Sequence, residues 1–493
     1  MPEAVGTRRL PTALNFSPAD VATVQVRERT YITPTGGNEF TIGVNTAAAS
    51  TFLQLDLPRD CYMDSNTVAL SFDLEVGGFT AFDPAAPTTT TCCRFQHAAT
   101  DIFSRLRLLQ GSEELMDLEN YNVWKALEAQ WVVPITQQKI SGAVCEGNAP
   151  ISWAASVTTD PNLPSRPLAV GGAMTGTTNF FPFPGEKKEF NVLFTEGLFS
   201  VYRFLPLKRM QQLSIKINFE SLARAFVWNK AFGGTEYYKI SNVRLWFDKV
   251  ILPDEVDQAV SEAILQSAIS IHHPSWRSQT QAISNQNESP KFTERVASLK
   301  SIFIVGVQTS QLNDPVKWKF GNFSGMDWVD HQFRIDGVQY PPNKIQQISQ
   351  VHRWAERAFG IYHVPWQPGK PVLAPVTSAN FISMDNHLRY QEEPYLSSFT
   401  NNAAINTYTA LTNPENTYTF YHSNMARNKW VLAYDFDLED DPHAICGLNT
   451  ANRQADIELV LSRSSSTPHQ LYGFILHDVT LLIAPQGKAA IAR

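Results

Sequence analysis

Short runs in which apolar and polar residues alternate cover most of the chain, and one apolar run occurs twice. Residues 238–253 read YKISNVRLWFDKVILP, and residues 471–485 read LYGFILHDVTLLIAP. With Asn242 set against Asp478, Val243 falls on Val479, Leu245 on Leu481 and Phe247 on Ile483. Both runs are apolar and β-branched, long enough for one buried strand, and stopped by a proline that cannot continue a ladder. Each follows an alternating run, 213–219 (LSIKINF) before the first and 457–461 (IELVL) before the second. A matched pair of strands, once mid-chain and once near the end, predicts two similar units in tandem.

A second pair of landmarks keeps the same order and spacing. Residues 106–111 (LRLLQG) and 333–337 (FRIDG) predict short strands that end at glycine. Each leads into a helical pattern containing a tryptophan. Leu115, Leu118, Tyr121, Trp124, Leu127 and Trp131 fall at three- and four-residue steps, as do Ile345, Ile348, Val351, Ala355, Phe359 and Tyr362. The distance from glycine to closing strand is about 130 residues in the first half and about 140 in the second.

Further strands are expected at 21–32, 52–57, 68–76, 190–194 and 198–204, then at 296–307, 318–320, 332–335 and 430–438. Residues 58–67 read as a turn, and 77–100, 137–188 and 364–428 as long loops rich in Gly, Pro, Ser, Thr or Asn. Residues 254–269 are acidic at the start and apolar at Val256, Val260, Ile264 and Ala268, which predicts a connecting helix. The organisation that follows is an arm at 1–20, a first unit at 21–253, the helix at 254–269, a second unit at 270–487 and a tail at 488–493. Alternating parity suits sheets with one buried face. The fold expected is all-β: two tandem eight-stranded jelly-roll β-sandwiches with short helices and long inter-strand loops.

Composition narrows the chemistry. A chain of 493 residues is too long for one core, and 43% apolar content fills two. No apolar run approaches the ~20 residues of a membrane-crossing helix, and residues 1–16 lack the apolar core of a signal peptide. A net charge of −7 argues against a surface built to clamp nucleic acid; Arg8, Arg9, Lys488 and Arg493 read as solvated termini. The five cysteines (Cys61, Cys92, Cys93, Cys145, Cys446) have no CxxC or Cys-His spacing and read as free thiols. The sequons at Asn15, Asn287 and Asn322 read as coincidental.

Enzymatic and cofactor signatures are missing. A two-domain cupin needs paired His-x-His strands, and the chain has no His-x-His. His272 and His273 are adjacent beside Pro274 and read as a turn pair; His97, His331, His352, His363 and His387 are scattered. The run DFDLEDD (Asp435, Asp437, Glu439, Asp440, Asp441) has oxygens suited to calcium but lacks EF-hand spacing. Its simpler reading is the solvent side of a strand. GxSxG, GxGxxG and P-loop patterns do not occur. The expectation is no catalytic site, no metal and no cofactor. The competing class is a carbohydrate-binding or glycosidase-type tandem β-sandwich, with Trp153, Trp276, Trp328 and Trp366 as loop platforms.

Three stretches carry a family resemblance. Residues 100–127 (TDIFSRLRLLQGSEELMDLENYNVWKAL) resemble the strand-and-helix segment of viral double jelly-roll major capsid proteins. Residues 198–220 (LFSVYRFLPLKRMQQLSIKINFE) with 242–253 resemble the end of their first jelly roll, and 446–461 with 476–485 the end of the second. The resemblance covers most of the chain by pattern and order. It is strongest to capsid proteins of small eukaryotic double-stranded DNA viruses, namely virophages and Polinton-like or adintovirus-like elements. It implies a virion protein assembled inside the host cell as a homotrimer, a pseudo-hexameric capsomer that tiles an icosahedral capsid. The implied partners are neighbouring capsomers, penton and minor capsid proteins and an internal membrane. Residues 1–20 carry too little charge to bind a genome, so strong direct nucleic-acid binding is not expected. Loop aromatics that a monomer would expose are the candidate subunit contacts: Phe180, Phe181, Phe183, Trp366, Phe381, Tyr395, Phe399 and Tyr408.

Overall fold

The structure is a computed structural model and describes residues 26–132, 184–360 and 430–492, apart from short breaks within each, together with residues 145–146. The first half contributes β1 (Val26–Ile32), β2 (Phe52–Asp56), β3 (Tyr62–Gly77), β4 (Phe103–Gln110), β5 (Glu113–Glu119), helix α1 (Tyr121–Trp131), β6 (Lys187–Leu193), β7 (Leu213–Phe219) and β8 (Tyr237–Ile251). They form two antiparallel sheets, β1-β8-β3-β6 and β2-β7-β4-β5. The pairs 1·8, 2·7, 3·6 and 4·5 are those of one long antiparallel ribbon rolled into two sheets, which is the jelly-roll topology. Inward residues such as Val243, Leu245 and Phe247 of β8 are fully buried. Phe72 of β3 meets Phe103 of β4 edge-on at 5.6 Å across the sandwich.

Helix α2 (Asp254–Gln266) follows, with three acids in its first turn and Val256, Val260 and Ile264 buried along one face. The second half then repeats the order. It has β9 (Ile269–Ile283), β10 in two short pieces (Asn287–Glu288 and Lys291–Phe292), β11 (Leu299–Gln308), β12 (Trp328–Ile335), β13 (Val338–Ile345), helix α3 (Ile348–Ala358), β14 (Leu432–Asp435), β15 (Ile457–Arg463) and β16 (His469–Ile483). Its sheets are β9-β16-β11-β14 and β10-β15-β12-β13, the same permutation as in the first half. Both closing strands lie at the centre of their sheets. Gly473 of β16 faces the Phe292 ring, and a Cβ there would stand 2.3 Å from it. Only glycine fits.

The repeat differs from the sequence reading in several places. Residues 113–119 and 338–345 are return strands of hairpins, and the helices begin only at Tyr121 and Ile348. Asp336 and Gly337 both have positive φ, the requirement of a two-residue hairpin turn. A bulge between the Leu108 and Leu109 pairings leaves Leu115 and Met116 both buried, breaking the strand alternation that would have marked β5. Residues 62–67, read as a turn, belong to β3. The expected strand at 198–204 is a 3-10 turn at Gly197–Ser200 followed by a two-residue strand, and Lys319 and Phe320 lie outside any strand. His272 and His273 sit in β9, which tolerates Pro274 because it is an edge strand.

Candidate assembly surface

The two sandwiches are joined by a contact built from α1, β5 and the outer face of the second sandwich's β9-β16-β11-β14 sheet. Trp124 of α1 lies against Trp276 of β9 (centroids 4.0 Å apart), Phe474 of β16 (5.5 Å) and Phe303 of β11 (5.6 Å). Trp131 stacks on Phe359, just beyond α3, at 5.5 Å. β5 is an edge strand, and its carbonyl edge is capped by serines of β9. Ser275 Oγ donates to the Leu115 carbonyl at 3.0 Å, and Ser278 Oγ to the Glu119 carbonyl at 2.7 Å. Arg277 adds an ion pair to Glu114 at 2.6 Å. Elsewhere along the junction the Trp228 amide donates to the Pro315 carbonyl and the Lys319 amide to the Gln96 side chain. A sheet buried on both faces reads as an unbroken apolar run, and residues 302–307 of β11 (IFIVGV) do so. Ile302 and Ile304 pack inside their own sandwich, while Phe303, Val305 and Val307 join the core shared with the first.

The counterparts of these elements are partly exposed. The outer face of the β1-β8-β3-β6 sheet carries one apolar row across four strands, in the register Tyr31–Trp246–Ala69–Leu193. Tyr31 is 46% and Leu193 41% exposed. On the second sandwich, β13 is exposed along most of its length, and α3 buries only Val351, Ala355 and Ala358. Two further exposed valines, Val329 and Val338, flank that edge.

Among the described residues the histidines, the cysteines and the acidic run do not come together in one site. Among the described residues no group of three or more His, Cys, Asp or Glu side chains is placed to hold a metal ion. His273 and His331 are buried in different strands, and burial lowers their pKa values to about 4 and about 3. His352 pairs with Glu356 on α3. Cys61, Cys92 and Cys93 are buried and form no disulfide; burial raises Cys61 to about 11 and Cys92 to about 12. The acidic run is answered by protein cations. Asp435 is buried, not solvent-facing, and accepts from Arg357 at 2.9 Å. Lys300 lies between Asp437 and Asp478, 3.4 Å from each. Asp435 and Asp437, the two carboxylates of the run among the described residues, are thus each paired with a protein cation.

Two of the four proposed loop tryptophans are strand residues packed against other aromatic rings. Trp276 meets Trp124, and Trp328 packs on Trp430 at 5.1 Å with its indole donating to His331 Nδ1 at 3.0 Å. Trp153 and Trp366 lie outside the described residues, as do Glu439, Asp440 and Asp441 and the loop aromatics Phe180, Phe181, Phe183, Trp366, Phe381, Tyr395, Phe399 and Tyr408. The Trp124 junction was missed as a contact. Its signal was available, because α1 (YNVWKALEAQW) has only two charged residues whereas α3 (ISQVHRWAERA) has three and a histidine.

No protein-family model and no curated protein matches the chain. Solved structures do match. The Faustovirus major capsid protein superposes with a TM-score of 0.56 at 10% identity, over 95% of this chain and 92% of that one. VP54 of PBCV-1, in a crystal structure fitted into a reconstruction of the virophage Sputnik, gives 0.52 at 10% identity over 97% and 99%. A chain of the Sputnik virophage solved by cryo-EM gives 0.52 at 11% identity over 97% and 90%. From end to end, this chain is similar in fold to double jelly-roll major capsid proteins.

Proposed function

We propose that this chain is a major capsid protein that trimerises into pseudo-hexagonal capsomers and tiles an icosahedral virion shell. One observation carries the reading: the strand order 1-8-3-6 and 2-7-4-5 occurs twice in one chain, and a shared aromatic core fuses the two copies. Two fused near-equivalent sandwiches give a trimer six similar edges from three chains. The neighbours in fold add support, as does the absence of a metal-holding cluster among the described residues. In the assembled particle its partners are neighbouring capsomers, penton and minor capsid proteins, and a membrane beneath the shell. The loop aromatics named above add contacts between copies.

Light scattering coupled to size exclusion tests this. A species of three times the 55.2 kDa chain mass supports the reading. A monomer that binds oligosaccharide supports the carbohydrate-binding or glycosidase-type class instead.

A further inference from the structure

Away from the Trp124 core, the stretch joining β11 to β12 meets the first sandwich through hydrogen bonds, and one of them comes from a buried cation. The Trp228 amide donates to the Pro315 carbonyl at 2.9 Å, and the Lys319 amide to Gln96 Oε1 at 2.7 Å. Lys319 Nζ donates to the Ala223 carbonyl in the short helix Leu222–Ala225. Lys319 is 1% exposed, and among the described residues it forms no ion pair. An ammonium has three N–H groups to place, and a lone carbonyl answers only part of that need. The charged groups around it are committed elsewhere. Glu220 accepts from the Ser221 amide at 2.8 Å and Asn122 Nδ2 at 3.2 Å, and pairs with Arg224 at 3.6 Å. Arg224 is a second cation at the same place, 5.3 Å over the Phe320 ring and 3.4 Å from the Tyr472 hydroxyl. Asp314 accepts from the Val316 amide at 3.0 Å, and Arg94, on the strand beside Gln96, lies where its charge bears on Asp101. Two cations thus face one carboxylate that is already bonded.

We infer that Lys319 is a pH-operated latch between the two sandwiches: its neutral amine keeps this stretch docked on the first sandwich, and protonation loosens it. Burying an ammonium without a carboxylate partner is far costlier than burying an amine. Burial accordingly lowers the Lys319 pKa to about 7; Arg224 pushes the same way, while Asp314 and Glu220 oppose. In water the same amine holds its proton up to about 10.4. Docking is therefore strongest where the amine is neutral in both states. It weakens as pH falls from about 10 towards 7, because an opened stretch gains a proton that the docked one refuses. Below the docked value both states carry the proton and the dependence ends. The Trp124 contact is built from Trp and Phe rings, which do not titrate. Acidification therefore frees one edge of the junction while the other stays packed.

Amide exchange followed by mass spectrometry on the full chain tests this, with intrinsic exchange corrected for at each pH. Peptides spanning residues 222–228 and 312–320 should open about tenfold more for each unit of fall between about pH 9 and about pH 7, one proton's worth, and then level off. Peptides from β8 should not follow. In Lys319→Met, close in length and unable to take the proton, the slope should vanish. Lys319→Arg stays charged throughout this range, so it should be as open at every pH as the wild type is once protonated. It supplies the comparison if Lys319→Met does not fold. Wild-type exchange that does not change with pH, an equal slope in either variant, or β8 opening in step with the two peptides overturns the latch.

Discussion

Trp124 of α1 and Trp276 of β9 lie with ring centroids 4.0 Å apart and planes inclined at 41°, one from each sandwich. They sit in a core that includes Phe303 and Phe474, so the junction is packed like a domain interior. That continuity makes the double sandwich one unit and sets the relative placement of its two sheets.

Truncating that ring should be costly. Trp124→Ala is expected to lower unfolding stability by about 3–5 kcal/mol, the range for a large buried aromatic that leaves a cavity. Because the two rings are in contact and their truncations would open one cavity, Trp124→Ala and Trp276→Ala should be coupled by about 0.5–3 kcal/mol. Urea denaturation of the two single variants and the double variant measures this; strictly additive losses would show that the rings do not share a cavity.

The closing strands were legible because β8 and β16 lie at the sheet centres, where both neighbours demand apolar, β-branched residues. The connecting helix was legible from its acidic start and its i, i+4, i+8 apolar face; it was expected at 254–269 and is found at Asp254–Gln266. The return strands were not. In β5 a bulge replaced alternation with three-residue spacing, and in β13 Pro341 and Pro342 hid an edge strand. β9 was hidden because its inner and outer partners lie far away in sequence: Ser275 and Ser278 cap a strand more than 150 residues earlier. A serine looks the same in a sequence whether it caps a distant edge or faces water.

The Asp336–Gly337 turn tests the hairpin reading. Gly337 has φ of +76°, and a Cβ added there would meet nothing within 4 Å. The cost of Gly337→Ala is therefore backbone strain alone, about 1–2 kcal/mol. Gly337→Asn should cost less, because asparagine tolerates the left-handed region. Equal melting temperatures for the alanine variant and the wild type would rule out a left-handed turn.

His331 should make the second sandwich acid-sensitive. Burial lowers its pKa to about 3, outweighing Asp330 nearby, whereas an unfolded histidine titrates at about 6.5. The folded state therefore refuses a proton that the unfolded chain accepts. Stability from this group is complete above the unfolded value and falls as pH drops from there towards the folded one. Between pH 6 and pH 4 the wild type should lose about 1.4 kcal/mol per pH unit more than His331→Gln, one proton's worth. Comparing the two slopes cancels opposite contributions from buried carboxylates such as Asp101, whose pKa burial raises. Parallel slopes would mean that the imidazole is hydrated in the folded protein.

The Lys300 site gives the opposite pH signature. Lys300 and Asp478 are each 9% exposed and Asp437 15%, so the ammonium holds two carboxylates with little help from water. Removing one partner of a buried ion pair typically costs about 3–5 kcal/mol, because the charge left behind is uncompensated. Lys300→Met, close in length and uncharged, should fall in that range at pH 7. Burial already raises the pKa of Asp478 above the usual carboxylate value, with Lys300 and Ser298 opposing. Without the lysine that opposition weakens and the pKa rises further. A carboxyl with a raised folded-state pKa takes up its proton in the native state first, so acidification relieves the repulsion. The deficit of Lys300→Met relative to wild type should therefore shrink from pH 7 to pH 5. Chemical denaturation at the two pH values reads it directly; a deficit that stays constant would show that Asp478 is hydrated and that Lys300 is a surface charge in function if not in position.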